Sequence, residues 1–176
     1  NMAVQKRRYT HVICPSDPDI KARLHEELQM FFKFEAETRV TERMKLLARI
    51  GEMRRATAKM KIPEAVHLVG FSKHMDEPFI VFGHHTEILD AFAARLIEQG
   101  IHGQSVSASR RQRLIDEFQD GDYDGVVGGI KSIGTALTIT RATQVYFIEL
   151  DWDPYDMIQA EDRAYRYGQT RDVDVT

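Results

Sequence analysis

Two arginines and a glutamine near the C-terminus are spaced for a shared anion site. Gln159, Arg163 and Arg166 lie four and three residues apart in the segment QAEDRAYRYGQ, so on one helix they would line one face. Guanidinium groups on one stripe repel each other unless an anion lies between them or neighbouring acids neutralise them. Glu161 and Asp162 could do the neutralising, so the pattern alone leaves an anion site and an internal charge pairing both open.

Helix signals flank this segment. Asp153 followed by Pro154 predicts a helix start, because the aspartate side chain accepts a hydrogen bond from a free N–H group and proline is preset for the first turn. Gly168 is a typical stop. We therefore expect one helix between Pro154 and Gly168 that carries all three polar side chains.

The composition is that of a globular domain of ordinary size. The 176 residues are 43% hydrophobic and 29% charged. No apolar run approaches the ~20 residues that a membrane span needs, and no signal-peptide pattern is present. Cys14 is the only cysteine, which excludes an intramolecular disulfide and a cysteine-based zinc site. We expect an intracellular protein, cytoplasmic if the source is prokaryotic or a phage and nuclear if it is eukaryotic.

Charge divides the chain near residue 61. Residues 1–61 carry 14 Lys and Arg against 8 Asp and Glu, whereas residues 62–176 carry 10 against 19. The basic stretch fits either a nucleic-acid-binding surface or a solvated helical hairpin. Asn1-Met2-Ala3 looks like a cloning remnant, and Val175-Thr176 carries no closing signal. We therefore expect a piece of a longer protein, truncated at its C-terminus.

The basic segment has the apolar spacing of helices. A short strand, Thr10–Ile13, is expected first, and apolar residues then recur at helical intervals, among them Met44 and Leu47, which we expect to pack in a core. Gly51 interrupts this pattern, and Pro63 is expected to open a further helix. Residues 1–61 are thus predicted to form a helical subdomain.

Beyond residue 78, short apolar strands alternate with amphipathic helices. The strand candidates are residues 79–82, 126–127 and 145–148. Helices are expected from near Thr86 and from Ser109, where Gln112 would complete a capping box. Fully apolar strands separated by helices predict a parallel sheet covered on both faces, with right-handed connections. The predicted fold class is α/β.

Polar residues follow two of these strands, at the edge where parallel sheets bind their ligands. Gly83-His84-His85-Thr86 places hydroxyl, imidazole and backbone N–H groups at a helix start, which suits a phosphate. The paired histidines could instead be metal ligands, but adjacent side chains point in different directions and no third ligand is evident. The segment Gly128–Thr140 offers glycines for close backbone approach and threonine hydroxyls, or it is a structural turn with threonine caps.

The sequence lacks the loop that would hold a nucleotide's phosphates. It contains no Gly-x-x-x-x-Gly-Lys-Ser/Thr motif and no Rossmann Gly-x-Gly-x-x-Gly fingerprint. The paired arginines therefore have no triphosphate site of their own within this sequence.

In their order, these elements resemble the second RecA-like lobe of Swi/Snf-type ATPases, the DNA translocases among superfamily-two helicases. The resemblance covers about residues 66–174. The motifs that carry it are Phe79–Thr86, Gly103 with Arg110 and Phe118, Gly134–Thr138, Asp151–Pro154 and Gln159–Gln169. The pair His84-His85 and the run Glu149–Trp152 are similar to the annealing-helicase branch. Ala136 and Asp153 depart from the family pattern, which usually has glycine and asparagine there.

The resemblance implies a RecA-like fold and an ATP-dependent motor. In this family the first lobe holds ATP and Mg²⁺, and the second lobe brings arginines across the cleft. Arg166 is then expected to be the finger toward the γ-phosphate, Arg163 its companion, and Gln159 and Gly134 further ATP contacts. The expected contacts to DNA phosphates are Gly83, His84, His85, Thr86, Arg110 and Thr138.

The same resemblance implies the partners and the domain organisation. Residues 62–176 would form the helicase C-terminal lobe, and residues 1–61 an insertion between lobes. The expected partners are double-stranded or forked DNA and the N-terminal RecA-like lobe of the same protein, with no membrane and no structural metal. The chain alone is expected to be inactive. Two alternatives stay open: a degenerate DNA- or protein-binding lobe, which Ala136 favours, and an RNA-unwinding relative, which fits Asp151–Pro154 poorly.

Overall fold

Six parallel strands form the sheet of the computed structural model, which describes residues 4–10, 22, 25–26, 40–107, 109–133 and 137–176. The strands are β1 (Lys6–Arg8), β2 (Phe79–Gly83), β3 (Gly103–Ser105), β4 (Gly125–Gly129), β5 (Gln144–Phe147) and β6 (Val173–Val175). Their order across the sheet is β1-β6-β5-β2-β4-β3, so β2, β4 and β5 occupy the interior. The prediction of a parallel α/β sheet is confirmed.

Helices connect most of these strands. They are α1 (Val40–His74), α2 (Thr86–Glu98), α3 (Arg111–Asp120), α4 (Ile130–Ile133) and α5 (Pro154–Glu161). Among the described residues no helix is long and apolar enough to cross a membrane.

The sheet is covered on both faces, as its apolar strands predict. Ile80 and Phe82 of β2 belong to a buried cluster that also contains side chains of α3, α4 and α5. Their neighbours Phe79 and Val81 point to the opposite face and are also fully buried. On that face the hydroxyl of Tyr146 lies 2.6 Å from Ser72 Oγ of α1. The chain moves across the sheet in one direction up to β3 and in the opposite direction after it. With right-handed crossovers, the helices before β3 and those after β3 therefore cover opposite faces of the sheet.

The basic strand β1 joins the sheet beside β6, which the sequence analysis missed. Lys6 pairs with Val173 and Arg8 with Val175 in parallel register. The chain accordingly divides into one unit of residues 1–11 and 62–176 and another of residues 12–61. The sequence-based division assigned the whole of residues 1–61 to one segment and differs at its N-terminus. Of the predicted strand Thr10–Ile13, Thr10 lies outside any strand, and residues 11–13 lie outside the described residues.

Helix α1 continues through Gly51 and Pro63, so the prediction of a new helix at Pro63 is wrong. A proline inside a helix removes one hydrogen bond and costs about 3 kcal/mol. Burial of a large aliphatic side chain returns roughly 1.5–3 kcal/mol. Ile62, Val66 and Val69 around the proline are all buried. Tertiary packing therefore outweighs the local preference.

Within the unit of residues 12–61, two large apolar side chains of α1 are exposed. Met44 is 64% and Leu47 is 61% exposed, so the prediction that they pack in a core is wrong. Most of the predicted helical stretch before Val40 lies outside the described residues.

Helix α3 starts without the predicted capping box. Arg110 is the N-cap residue, and no side chain caps the helix. Ser109 Oγ lies 3.4 Å from Ser107 Oγ, and Gln112 Nε2 donates to Asp116 Oδ1 at 2.8 Å. The two residues of the predicted box are thus engaged with other partners.

Gly125 of β4 is required by its cross-strand partner. It pairs with Phe79 of β2, and a Cβ at this position would overlap the Phe79 ring. We expect Gly125→Ala to destabilise the fold by about 1–3 kcal/mol, the usual cost of overpacking a core. The free energy of unfolding in urea measures this.

Gly70→Ala is the matched control in α1. Its added Cβ would meet only Ile101 Cδ1, at 3.9 Å, so we expect a gain of roughly 0.5–1 kcal/mol from helix preference. Equal stability of the Gly125→Ala variant and the unmodified chain would show that the core does not hold Phe79 against β4.

Candidate functional site

The predicted start of the arginine-bearing helix is confirmed. Asp153 is the N-cap residue of α5, its carboxylate accepts a hydrogen bond from Tyr155 N at 2.9 Å, and Pro154 occupies the first turn. Ala160 in this helix and Ala164 beyond it are fully buried in the core. The small side chains therefore hold the segment against the sheet, while Asp162 between them is exposed and Arg163 is half-buried.

The predicted end of this helix is wrong. Helix α5 ends at Glu161, and residues 162–168 form a series of turns, which we call the arginine turn. The carbonyl of Arg163, which Tyr167 would need to continue the helix, accepts a hydrogen bond from Ile139 N at 2.9 Å. Gly168 closes the turn with φ of +101°, in the left-handed region that favours glycine.

Gln159, Arg163 and Arg166 nevertheless meet in one place. They line an open cavity of about 570 Å³. The other residues of its wall are Lys6, Asp162, Tyr165 and Tyr167. The segment therefore brings together the three side chains that the sequence grouped, with Gln159 on α5 and both arginines on the turn that follows it.

Glu161 and Asp162 pair with β1 and not with Arg166. Arg8 Nη2 lies 2.6 Å and Lys6 Nζ 3.3 Å from Glu161 Oε2, and Lys6 Nζ also lies 2.7 Å from Asp162 Oδ1. The alternative in which these two acids neutralise both arginines is therefore wrong for Arg166.

Arg166 faces solvent with one described partner. Its Nη1 donates to Thr138 Oγ1 at 3.3 Å, and no carboxylate of the described part of the chain lies within 4.0 Å of its guanidinium. Arg163 is half-buried, and its Nη1 donates to the carbonyl of Leu137 at 3.5 Å. The segment thus presents an exposed cation beside a more firmly held one.

A buried carboxylate occupies the strand end where we expected a phosphate. Glu149 Oε2 accepts hydrogen bonds from the backbone N–H groups of His84 and His85 at 2.9 and 2.8 Å, and Oε1 lies 2.6 Å from His85 Nδ1. Burial alone would raise the pKa of Glu149, but these hydrogen bonds outweigh it and hold the pKa below its usual value. Those two backbone N–H groups are therefore engaged internally, while the side chains of His84 and Thr86 remain exposed.

Asp151 lies beside the same histidines. Its Oδ2 is buried, has no hydrogen-bond partner among the described residues, and lies 3.6 Å from His84 Nδ1. Burial would raise the pKa of Asp151, but the backbone N–H of Asp153 and the charge of Lys131 lower it below the usual value. His84 is thus the exposed member of a cluster whose carboxylates are charged near neutral pH.

The remaining residues predicted to contact ATP or DNA do not all lie together. Arg110 is exposed and follows β3, the edge strand next to β4. Thr138 bonds Arg166 and therefore lies with the arginine turn. Gly134 and Ala136 lie outside the described residues.

Packing explains the glycines that were candidates for close ligand approach. Gly83 is buried, and a Cβ there would come within 2.8 Å of Leu89 Cδ2 and 3.3 Å of Glu149 Oε2. Gly128 lies in β4, where a Cβ would come within 2.8 Å of Ile133 Cδ1. At both positions a larger residue would require neighbouring side chains to shift, so internal packing gives these glycines a reason that needs no ligand.

Metal ligation finds no support in the geometry. Within the described ranges, no group of three or more His, Cys, Asp and Glu side chains could hold a metal ion. His84 and His85 instead stand edge to face, with ring centroids 4.9 Å apart.

Sequence reasoning missed the structural roles of three residues: Lys6, Arg8 and Glu149. Lys6 and Arg8 alternate on a three-residue strand, too short for a periodic signal. Glu149 follows the apolar run of β5, and a single acid at the end of a buried strand was the signal that could have identified it.

Comparison with known proteins gives the family. Residues 59–168 match the model of the helicase conserved C-terminal domain. The chain is 43% identical over 103 residues to the human DNA annealing helicase and endonuclease ZRANB3, covering 55% of the chain and 10% of that protein. It is 31% identical over 177 residues to the SWI/SNF-related matrix-associated actin-dependent regulator of chromatin subfamily A-like protein 1 of Drosophila melanogaster, covering 96% of the chain and 23% of that protein.

A solved structure shows the same fold. The Sulfolobus solfataricus SWI2/SNF2 ATPase core in complex with double-stranded DNA superposes with a TM-score of 0.73 at 20% identity, over 97% of this chain and 40% of that one. The RecA-like fold that the motifs implied is thereby confirmed. The chain belongs to the helicase conserved C-terminal domain family, and its relatives include SWI/SNF-related proteins and an annealing helicase.

Proposed function

We propose that the chain is the second motor lobe of an ATP-dependent DNA translocase. It would supply Arg166 and Arg163 to an ATP that a first lobe holds together with Mg²⁺. The observation that carries this proposal is the exposed guanidinium of Arg166, which lies beside Arg163 and Gln159 at an open cavity without a described carboxylate partner. An exposed cation in this setting suits an anion supplied from outside.

Phosphoryl transfer requires this kind of contribution. Negative charge accumulates on the oxygens of the transferred group in the transition state. In related hydrolases an arginine from a partner element stabilises this charge and raises the rate roughly 10³–10⁵-fold. Arg166 would contact that group, Arg163 would add a second positive charge, and Gln159 would orient the site. Because Ala160 and Ala164 anchor the end of α5 and the arginine turn in the core, the three residues would move with the lobe as a rigid body when the cleft closes.

The carboxyl edge of the sheet is the proposed DNA-binding surface. His84 and Thr86 after β2 and Arg110 after β3 are exposed there. Contacts of this kind would hold DNA phosphates without reading the base sequence. The structurally similar Sulfolobus ATPase core is in complex with double-stranded DNA, which supports a duplex as the substrate.

Removing Arg166 tests the catalytic part of the proposal. In the protein that carries both lobes, we expect Arg166→Ala to lower kcat and kcat/KM for DNA-stimulated ATP hydrolysis by roughly 10³-fold or more, because an interaction made only in the transition state is lost. Steady-state phosphate release measures both parameters.

Arg95→Ala is the matched control, since Arg95 is exposed on α2 and pairs with Glu98. It should leave turnover unchanged. Near-normal turnover of the Arg166→Ala protein with intact folding would contradict the finger assignment and favour a non-catalytic binding lobe.

Removing Arg110 tests the DNA-binding surface. We expect Arg110→Ala to weaken binding equally for all duplex sequences and to reduce the slope of log affinity against log salt by about 0.9, the value of one phosphate contact. Fluorescence anisotropy over a salt series gives both quantities.

The control is Arg113→Ala on the same helix, where the guanidinium is 80% exposed and pairs with Glu117. Its slope should equal that of the unmodified protein. If both variants show the same slope as the unmodified protein, Arg110 does not contact phosphate.

A further inference from the structure

Four charged side chains meet behind the arginine turn. The side chain of Glu161 is only 7% exposed and is held by Arg8, whose Nε and Nη2 lie 3.0 and 2.6 Å from Oε2. Lys6 Nζ bridges the two acids, at 3.3 Å from Glu161 Oε2 and 2.7 Å from Asp162 Oδ1. Strand β1 therefore binds both carboxylates that lie next to the arginines in sequence.

Lys6 is fixed from a second side by Tyr165. Its Nζ lies 5.4 Å from the centroid of the Tyr165 ring, close enough for a cation–π contact. The Tyr165 hydroxyl donates to the carbonyl of Val4 at 3.2 Å. The N-terminal strand thus contacts both Asp162 at the start of the arginine turn and Tyr165 in its middle.

Without Lys6, the nearest cation in sequence for Asp162 is Arg163 or Arg166. Asp162 is close enough to be a competing partner, because it lies on the arginine turn with Arg166 and both residues line the same cavity. In the structure Asp162 pairs with Lys6 and not with Arg166. An acid beside Arg166 would compete with any phosphate for the guanidinium and would repel that phosphate.

We infer that Lys6 and Arg8 are positioning residues for Arg166. They act through Glu161 and Asp162, holding both carboxylates away from the guanidinium so that it stays open to an anion. This inference rests on the proposed function, since it assigns a device that prepares the same arginine. Lys6 also lies in the wall of the cavity, so the test must separate an effect through Asp162 from a direct contact with the anion.

The test uses Lys6→Met in the two-lobe protein. The side chain keeps its length but loses the charge, and Arg8 still pairs with Glu161. We expect kcat for DNA-stimulated ATP hydrolysis to fall about tenfold, much less than on removal of Arg166, because the guanidinium is present but paired. Lys6→Met combined with Asp162→Asn should recover kcat to within about threefold, since the competing charge is gone.

Arg7→Met is the matched control on the same strand. Arg7 pairs with Asp174, at 2.6 Å, and not with the acids beside the arginine turn. Its kcat should be unchanged. Thermal unfolding of each variant checks that the fold is retained, and recovery in the double variant is a result that a merely structural role of Lys6 does not produce.

The outcomes separate this inference from the function on which it rests. The positioning role is overturned if Lys6→Met is fully active, or if Asp162→Asn does not recover its lost activity. The proposed function survives either result as long as Arg166→Ala still abolishes turnover. If Arg166→Ala itself is active, the proposed function fails, and the positioning role fails with it.

Discussion

The buried carboxylate of Glu161 determines the arrangement of this side of the molecule. A charged group inside a protein costs several kcal/mol unless a partner and hydrogen bonds satisfy it, and removal of one partner typically costs about 3–5 kcal/mol. The partners of Glu161 are Arg8 and Lys6, which can reach it only if β1 pairs in register with β6. One ion cluster therefore ties the first strand, the last strand and the end of α5 together.

A second buried carboxylate plays the corresponding role at the carboxyl edge of the sheet. Glu149 binds the backbone of His84 and His85 and so joins the loops that follow β5 and β2. An exposed polar side chain lies near each of these acids: Arg166 near Glu161, and His84 near Glu149. Groups of this chain satisfy both Glu161 and Glu149, and the polar groups left exposed beside them are those that suit a phosphate.

Sequence reasoning identified the interior of the sheet and grouped the three polar side chains that line the cavity, but it did not show how they are held. Strands β2, β4 and β5 have four or five residues each and contain adjacent apolar residues that give a signal, whereas β1, β3 and β6 have three residues each and polar members. The helix through Arg166 was mistaken because Arg163 bonds Ile139, a contact distant in sequence. Pro63 was mistaken because core packing around it outweighs a local preference.

The central claim is that Arg166 is held open for a phosphate supplied by another lobe. The most direct measurement is the distance from the Arg166 guanidinium to the nearest γ-phosphate mimic, in a structure of the two-lobe protein with duplex DNA and ADP–aluminium fluoride. The account predicts a hydrogen-bonding distance of about 2.7–3.2 Å, with Glu161 still paired with Arg8 and Asp162 with Lys6. An Arg166 that is turned away from the nucleotide and paired with Asp162 or Glu161 would contradict it.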